Sequence, residues 1–148
     1  MIDLGGNILA MGSKPDGSPW RIGLQNPGSE RGVSFGTVEV VDKSVVTSGV
    51  YEHFFIQNGK RYHHIMDTRT GYPLENGIVA VTVISRASII ADGWDTTLLC
   101  MGPVRGLAIA KSLGLDAILV GSDHKLYTTE SAKKMLRITD PGFTYAAP

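Results

Sequence analysis

Residues 78–101 read Ile78-Val79-Ala80-Val81-Thr82-Val83-Ile84 and then, after Ser85-Arg86-Ala87, Ser88-Ile89-Ile90-Ala91-Asp92-Gly93-Trp94-Asp95-Thr96-Thr97-Leu98-Leu99-Cys100-Met101. The first seven are β-branched and nearly all apolar. Such a run reads as a strand buried on both faces. The next stretch reads as a helix over about 87–101, and a second helix spans about 103–113. Pro103 stands near the first turn of the second, and Gly114 stops it. Residues 116–121 (DAILVG) read as another buried strand, and 129–137 (TESAKKMLR) as a short helix or turn. A buried strand, two helices and a second strand set an α/β (α+β) class.

Upstream, residues 2–10 (IDLGGNILA) read as a strand interrupted by a glycine pair. Pro15-Asp16-Gly17-Ser18 is a turn, 20–24 (WRIGL) a short strand and 25–34 a polar, glycine-rich loop. Residues 36–47 alternate apolar and polar around a turn near Asp42-Lys43. Asn58-Gly59, between 51–57 (YEHFFIQ) and 60–66 (KRYHHIM), is a strong hairpin signal. The expected result is a mostly antiparallel mixed sheet packed with two main helices.

Composition bounds the rest. A hydrophobic fraction of 43% and a charged fraction of 19% exclude a disordered chain. One domain, 1–148, is expected at this length. Fourteen basic residues balance fourteen acidic ones, which argues against general nucleic-acid or anionic-membrane binding. The single Cys100 excludes an intramolecular disulfide and a Cys-based zinc site. No apolar run approaches the ~18 residues of a membrane span, and Met1–Gly6 carries no basic region or apolar core of a secretory signal. Glycine is abundant at 18 residues, a sign of turns and close backbone approaches. Neither GxxxxGK[ST] nor GxGxxG is present, so P-loop and Rossmann nucleotide binding have no support.

Four stretches carry candidate chemistry. On a helix, Asp92 and Thr96 stack on one face, with Asp95 one turn from Asp92. A carboxylate and a hydroxyl so placed suit a hard cation, and Mg²⁺ tolerates a sparse site because it keeps waters and takes phosphate oxygens. A solvated polar face or an N-cap is the alternative. Because Ile89, Ile90, Leu98 and Leu99 are apolar, much of this helix is expected to be buried, and a buried Asp needs a partner. The second stretch, Tyr62-His63-His64-Ile65-Met66-Asp67-Thr68-Arg69-Thr70-Gly71-Tyr72-Pro73, is a strand running into a turn. His64 and Asp67 sit near the strand end as proton-transfer candidates. Arg69 and Thr70 suit phosphate; the alternative is a hairpin end bonded to its own backbone. Adjacent His63 and His64 point to opposite faces, against a shared zinc site. Thr47-Ser48-Gly49 offers hydroxyls and N–H groups to an anion, or simply ends a strand. Gly5-Gly6 permits close backbone approach to a ligand, or forms a bulge.

Together these pieces resemble the FAD:protein FMN transferases, the ApbE-type family formerly described as thiamine biosynthesis lipoproteins. The resemblance rests on Asp3-Leu4-Gly5-Gly6-Asn7-Ile8, Pro19-Trp20-Arg21-Ile22-Gly23, Thr47-Ser48-Gly49 with Tyr51-Glu52, His64 to Pro73, Ala91-Asp92 with Thr96, and Met101-Gly102-Pro103, in that order. It implies a T-fold-like half and Mg²⁺-dependent transfer of FMN from FAD, through a phosphoester, to a Thr or Ser hydroxyl of an acceptor flavoprotein redox subunit, with AMP released. It further implies Asp92 and Thr96 as metal ligands and His64 or Asp67 as the proton acceptor, with His64 preferred. Gly5, Gly6, Thr47, Ser48, Arg69 and Thr70 are the implied flavin-nucleotide contacts. An FAD/FMN-binding module or an FAD pyrophosphatase without protein transfer is the competing reading. Members of this family are usually about twice as long, and this chain resembles their second half. A fragment, or a compact half that binds weakly alone, is therefore expected. Relatives are often exported and lipid-anchored on the outer face of the inner membrane; self-association stays open. Gly93-Trp94-Asp95 departs from the small apolar residues expected after the helix Asp. No acceptor-type D-G-x-[ST]-[GS]-A-T run is present, so self-flavinylation is not expected.

Overall fold

A computed structural model describes residues 1–147. In chain order the elements are β1 (Ile2–Asp3), β2 (Asn7–Ala10), β3 (Trp20–Gln25), β4 (Ser34–Val40), β5 (Lys43–Gly49), β6 (Phe54–Gln57) and β7 (Lys60–His63). Then come β8 (Met66–Asp67), β9 (Tyr72–Pro73), β10 (Ile78–Ser85), α1 (Ser88–Ser112), β11 (Asp116–Gly121), β12 (Lys125–Thr128), α2 (Glu130–Met135), β13 (Leu136–Ile138) and β14 (Thr144–Tyr145). The main sheet runs β1-β2-β5-β10-β11-β12-β14, with β13-β4-β3 as a second sheet and β6-β7 and β8-β9 as hairpins. Every pairing among the described residues is antiparallel except β12 with β14. Among these residues no helix is long and apolar enough to cross a membrane.

The apolar run of β10 has a layered cause. Val81 and Val83 face α1 and share a core with Val46, Leu98, Leu99, Ala117 and Leu119. Ala80 and Ile84 face the other way and pack with Ile22, Leu24 and Val38 of the smaller sheet. The main sheet is thus the middle layer between a helix and a second sheet. Both faces of its central strand lose water, and each fully buried Val or Ile contributes roughly 1.5–3 kcal/mol.

The helix break expected at Pro103 is present. Gly102 adopts φ 73° and ψ 178° inside α1, separating two helical segments. Proline has no N–H, so the Leu99 carbonyl four residues back loses its helical donor. The Asn76 side-chain amide supplies one instead, Nδ2 to Leu99 O at 2.7 Å. The Asn58-Gly59 hairpin forms as expected, with Asn58 at φ 51° and Gly59 at φ 75°.

Three sequence expectations need correction. Residues 2–10 are a hairpin, not one interrupted strand: Ile2 pairs with Leu9 and Asp3 with Ile8, across a turn holding Gly5 and Gly6 at positive φ. The turn near Asp42-Lys43 exists, but the strands it joins enter different sheets. The start of α1 is open: Ile89 is 80% exposed, and Ile90 and Asp92 are also exposed. The buried carboxylate of this helix is Asp95, 3% exposed. In the segment before Gly102, the buried face is the one carrying Ala91, Asp95, Leu98 and Leu99.

Candidate functional site

Apart from His64, the sequence-derived candidates fall into three groups, and the sheet decides where Thr47 and Ser48 belong. Thr47 and Ser48 are consecutive in β5, so their side chains leave opposite faces. The Thr47 hydroxyl turns away from α1 and lies 2.8 Å from that of Thr82, its cross-strand partner. Ser48 faces α1. Side chains of both cannot line one side of a bound nucleotide.

The first group lies with Thr47. Gly5, Gly6 and Thr47 line a cavity of ≈ 260 Å³ together with Asp3, Arg31, Tyr51 and Glu52. Leu4 N–H bonds Asn7 O at 3.0 Å and closes the turn; Thr47 N–H bonds Gly6 O at 2.8 Å. Gly6 has φ +99°, and a Cβ there would stand 3.3 Å from Thr47 O. Backbone is therefore bared at the cavity wall. Tyr51 and Glu52 also line it, and burial together with the Glu52 charge pushes the Tyr51 phenol up to about 12. Tyr51 stays a neutral donor.

The second group is built on α1. Ser48 donates its hydroxyl hydrogen to Asp95 Oδ2 at 2.8 Å, and the Ser48 and Thr96 hydroxyl oxygens are 2.8 Å apart. The other Asp95 oxygen accepts the Thr96 backbone N–H. Burial raises the Asp95 carboxyl above its ordinary range, opposed by these donated hydrogen bonds, and the Asp92 charge adds to the rise. Asp92 and Thr96 are both exposed, four residues apart on the open side of the helix. Among the described residues no three His, Cys, Asp or Glu side chains cluster as a metal cage. A cation here depends on Asp92, Thr96 and oxygens from elsewhere. That all-oxygen, water-accessible donor set fits Mg²⁺ rather than a soft metal.

The third group surrounds the β8–β9 turn. Arg69 Nε and Nη2 reach the two Asp67 oxygens at 3.1 and 2.8 Å, and Arg69 N–H adds a bond of 2.9 Å. The guanidinium holds the Asp67 carboxyl down at about 2. Such a carboxylate is a poor proton acceptor at neutral pH, and its geometry is that of an anchor. The Thr70 hydroxyl stays within the turn, 3.5 Å from Asp67 O and accepting Tyr72 N–H at 3.3 Å. Asp67 and Arg69 line a cavity of ≈ 460 Å³ with Thr97, Cys100 and Arg105. The third group therefore meets α1 one residue beyond Thr96.

His63 and His64 separate as the strand period requires. His63 is buried, its Nε2 lies 3.2 Å from Leu74 O, and its Nδ1 has no partner among the described residues. Desolvation lowers its pKa below the usual imidazole range. His64 is exposed, with Nδ1 3.2 Å from His53 O and its ring edge-on to that of His53.

Sequence reasoning missed the role of Asp95 as the buried hub. The signal was its i+3 spacing from Asp92 beside Leu98 and Leu99. It also missed Arg31, Tyr51 and Glu52 as cavity walls. No local pattern marks Arg31, which reaches the site only because its loop folds back around the Gln25 side chain.

The comparisons with known proteins bear on the whole arrangement. The model of the ApbE family matches residues 1–119. The chain belongs to the ApbE family. It is 38% identical over 144 residues to a FAD:protein FMN transferase of Klebsiella pneumoniae (strain 342), covering 97% of this chain and 44% of that protein. Two solved ApbE structures superpose on it. The ApbE protein of Thermotoga maritima gives a TM-score of 0.78 at 30% identity, covering 90% of this chain and 43% of that one. The flavin transferase ApbE from Vibrio cholerae gives 0.75 at 36% identity, again covering 90% and 43%. This ApbE chain spans less than half the length of these relatives. The fold expected from the sequence, a mostly antiparallel sheet with helices, is the one these relatives share.

Proposed function

We propose that this ApbE chain carries part of the machinery of a flavin transferase. FMN passes from FAD to a Thr or Ser hydroxyl of an acceptor flavoprotein, and AMP leaves. The acceptor oxygen attacks the FMN-side phosphorus of FAD. The bond from that phosphorus to the bridging oxygen breaks, and the bridging oxygen departs with AMP. The likeness to FAD:protein FMN transferases along nearly the whole chain carries this reading.

Phosphoryl-type transfer needs positioning and charge neutralisation more than covalent chemistry from the protein. Asp92 and Thr96 would hold Mg²⁺, which when bound neutralises pyrophosphate charge. His64 accepts the acceptor hydroxyl proton; its ring is exposed, whereas Asp67 is tied to Arg69. Arg69 uses two of its donor nitrogens on Asp67 and keeps Nη1 for a substrate anion. Gly5, Gly6 and Thr47 receive a part of FAD remote from its pyrophosphate, on the other side of β5, and Ser48 supports Thr96.

The test is incubation with FAD, Mg²⁺ and a candidate acceptor, followed by intact-mass analysis. An adduct of one FMN less water on the acceptor, with one AMP released, is the expected product. FAD that is bound but unchanged would reduce the protein to a flavin-binding module. FMN and AMP without adduct would make it a pyrophosphatase in which water replaces the acceptor.

A further inference from the structure

Asp95, Ser48 and Thr96 form a chain of hydrogen bonds with a defined direction. As a carboxylate, Asp95 only accepts. One oxygen takes the Thr96 backbone N–H, and Oδ2 takes the Ser48 hydroxyl hydrogen at 2.8 Å. Ser48 has only one hydrogen, and Asp95 has it. At the 2.8 Å contact with Thr96, Ser48 is therefore the acceptor and Thr96 the donor. The Thr96 hydroxyl hydrogen points inward, toward Ser48 and the Asp95 carboxylate. Its lone pairs are left for the exposed side of α1, where Asp92 also lies.

A hydroxyl binds a cation through its lone pairs. One free to rotate must first be ordered, and one whose hydrogen faces the cation repels it. We propose that Asp95 is a positioning residue: through Ser48 it sets the Thr96 hydroxyl with its lone pairs toward a divalent cation shared with Asp92. This rests on the cation site of the proposed function. It assigns a task to a residue that sequence spacing marked only as a second carboxylate. It also accounts for a carboxylate placed at 3% exposure in a helix face otherwise formed by Ala91, Leu98 and Leu99. Burying that charge is costly, and the two donors it receives offset the cost.

The experiment is Mn²⁺ titration of the full chain, followed by electron paramagnetic resonance of free Mn²⁺, with thermal melts run alongside. Ser48→Ala removes the acceptor for Thr96. Asp95→Asn keeps the size but holds one oxygen for two donors. Each is expected to weaken Mn²⁺ binding by roughly 10–100-fold, the usual effect of losing a partner that orients a ligand. Ser48→Thr, which keeps the hydroxyl, is expected to stay within a few-fold of the native affinity. Applied together, Ser48→Ala and Asp95→Asn should cost no more than the larger single effect, because both cut one chain. Native binding left unchanged in both single variants, whatever their melting temperatures, overturns the role of Asp95 alone. Equal weakening by Ser48→Thr and Ser48→Ala also overturns it. A native chain that takes up no Mn²⁺ overturns the cation site and this inference with it.

Discussion

The hydroxyl oxygens of Ser48 and Thr96 lie 2.8 Å apart although 48 positions separate them in the chain. One comes from the strand beside the central strand, the other from the helix laid across it. The contact exists because β5 pairs with β10, while α1 packs on both. It joins a residue expected to meet flavin to a residue expected to meet metal.

Asp92→Ala should abolish Mg²⁺-dependent FMN transfer, by about 10²-fold or more if the cation is lost as a charge-stabilising group. Asp92 is exposed, so the melting temperature should move little. Transfer rates across a Mg²⁺ titration, with parallel melts, check this. Full activity at limiting Mg²⁺ would remove Asp92 from the metal site.

His64→Ala should slow transfer by about 10²–10⁴-fold, the range for losing a general base, while FAD affinity changes little. Single-turnover rates and equilibrium flavin titration separate the two. Equal losses in both would make His64 a positioning group.

The Asp67–Arg69 pair predicts an acid limb in stability. Asp67 sits at about 2 in the folded chain, against about 3.9 for an unfolded Asp. Its folded pKa is depressed. The unfolded chain therefore takes up the proton first as pH falls. The stabilisation is present above pH ~4 and is lost as pH falls toward about 2. Arg69→Met should flatten that part of the curve of unfolding midpoint against pH. An unchanged slope would show that the pair does not persist in solution.

Thr47→Val should destabilise the chain by about 1–3 kcal/mol, because it leaves the Thr82 hydroxyl buried and unpaired. Adding Thr82→Val should recover most of that loss. Urea unfolding of the two single variants and the double variant measures the coupling. Strict additivity would contradict the hydrogen bond between them.

Gly6→Ala should cost about 1–2 kcal/mol, since its φ of +99° lies where L-residues are strained and the new Cβ meets Thr47 O at 3.3 Å. If the bared backbone receives FAD, the KM for FAD should rise more than kcat falls. Unchanged FAD kinetics in a folded variant would move the nucleotide away from the glycine turn.

Much of this molecule follows from local chemistry. The β-branched run 78–84 can bury two faces only as a central strand. Asn58-Gly59 can only turn. Pro103 cannot donate to Leu99, so the helix must break there. The spacing of Asp92 and Thr96 puts both on one helical face whatever surrounds them.

Other properties depend on what each face meets. Periodicity says that Asp92 and Asp95 differ in direction, but not which one faces the sheet. The packing of Leu98 and Leu99 onto Val81 and Val83 buries Asp95 and exposes Asp92. Alternation says that Thr47 and Ser48 diverge, but not that one finds Thr82 and the other α1. Nor does the turn at Asp42 reveal that its two strands part into separate sheets. Short-range patterns report the backbone's own preferences, which neighbouring residues determine. Burial, partners and site membership depend on which distant segments arrive, and long-range packing alone decides that.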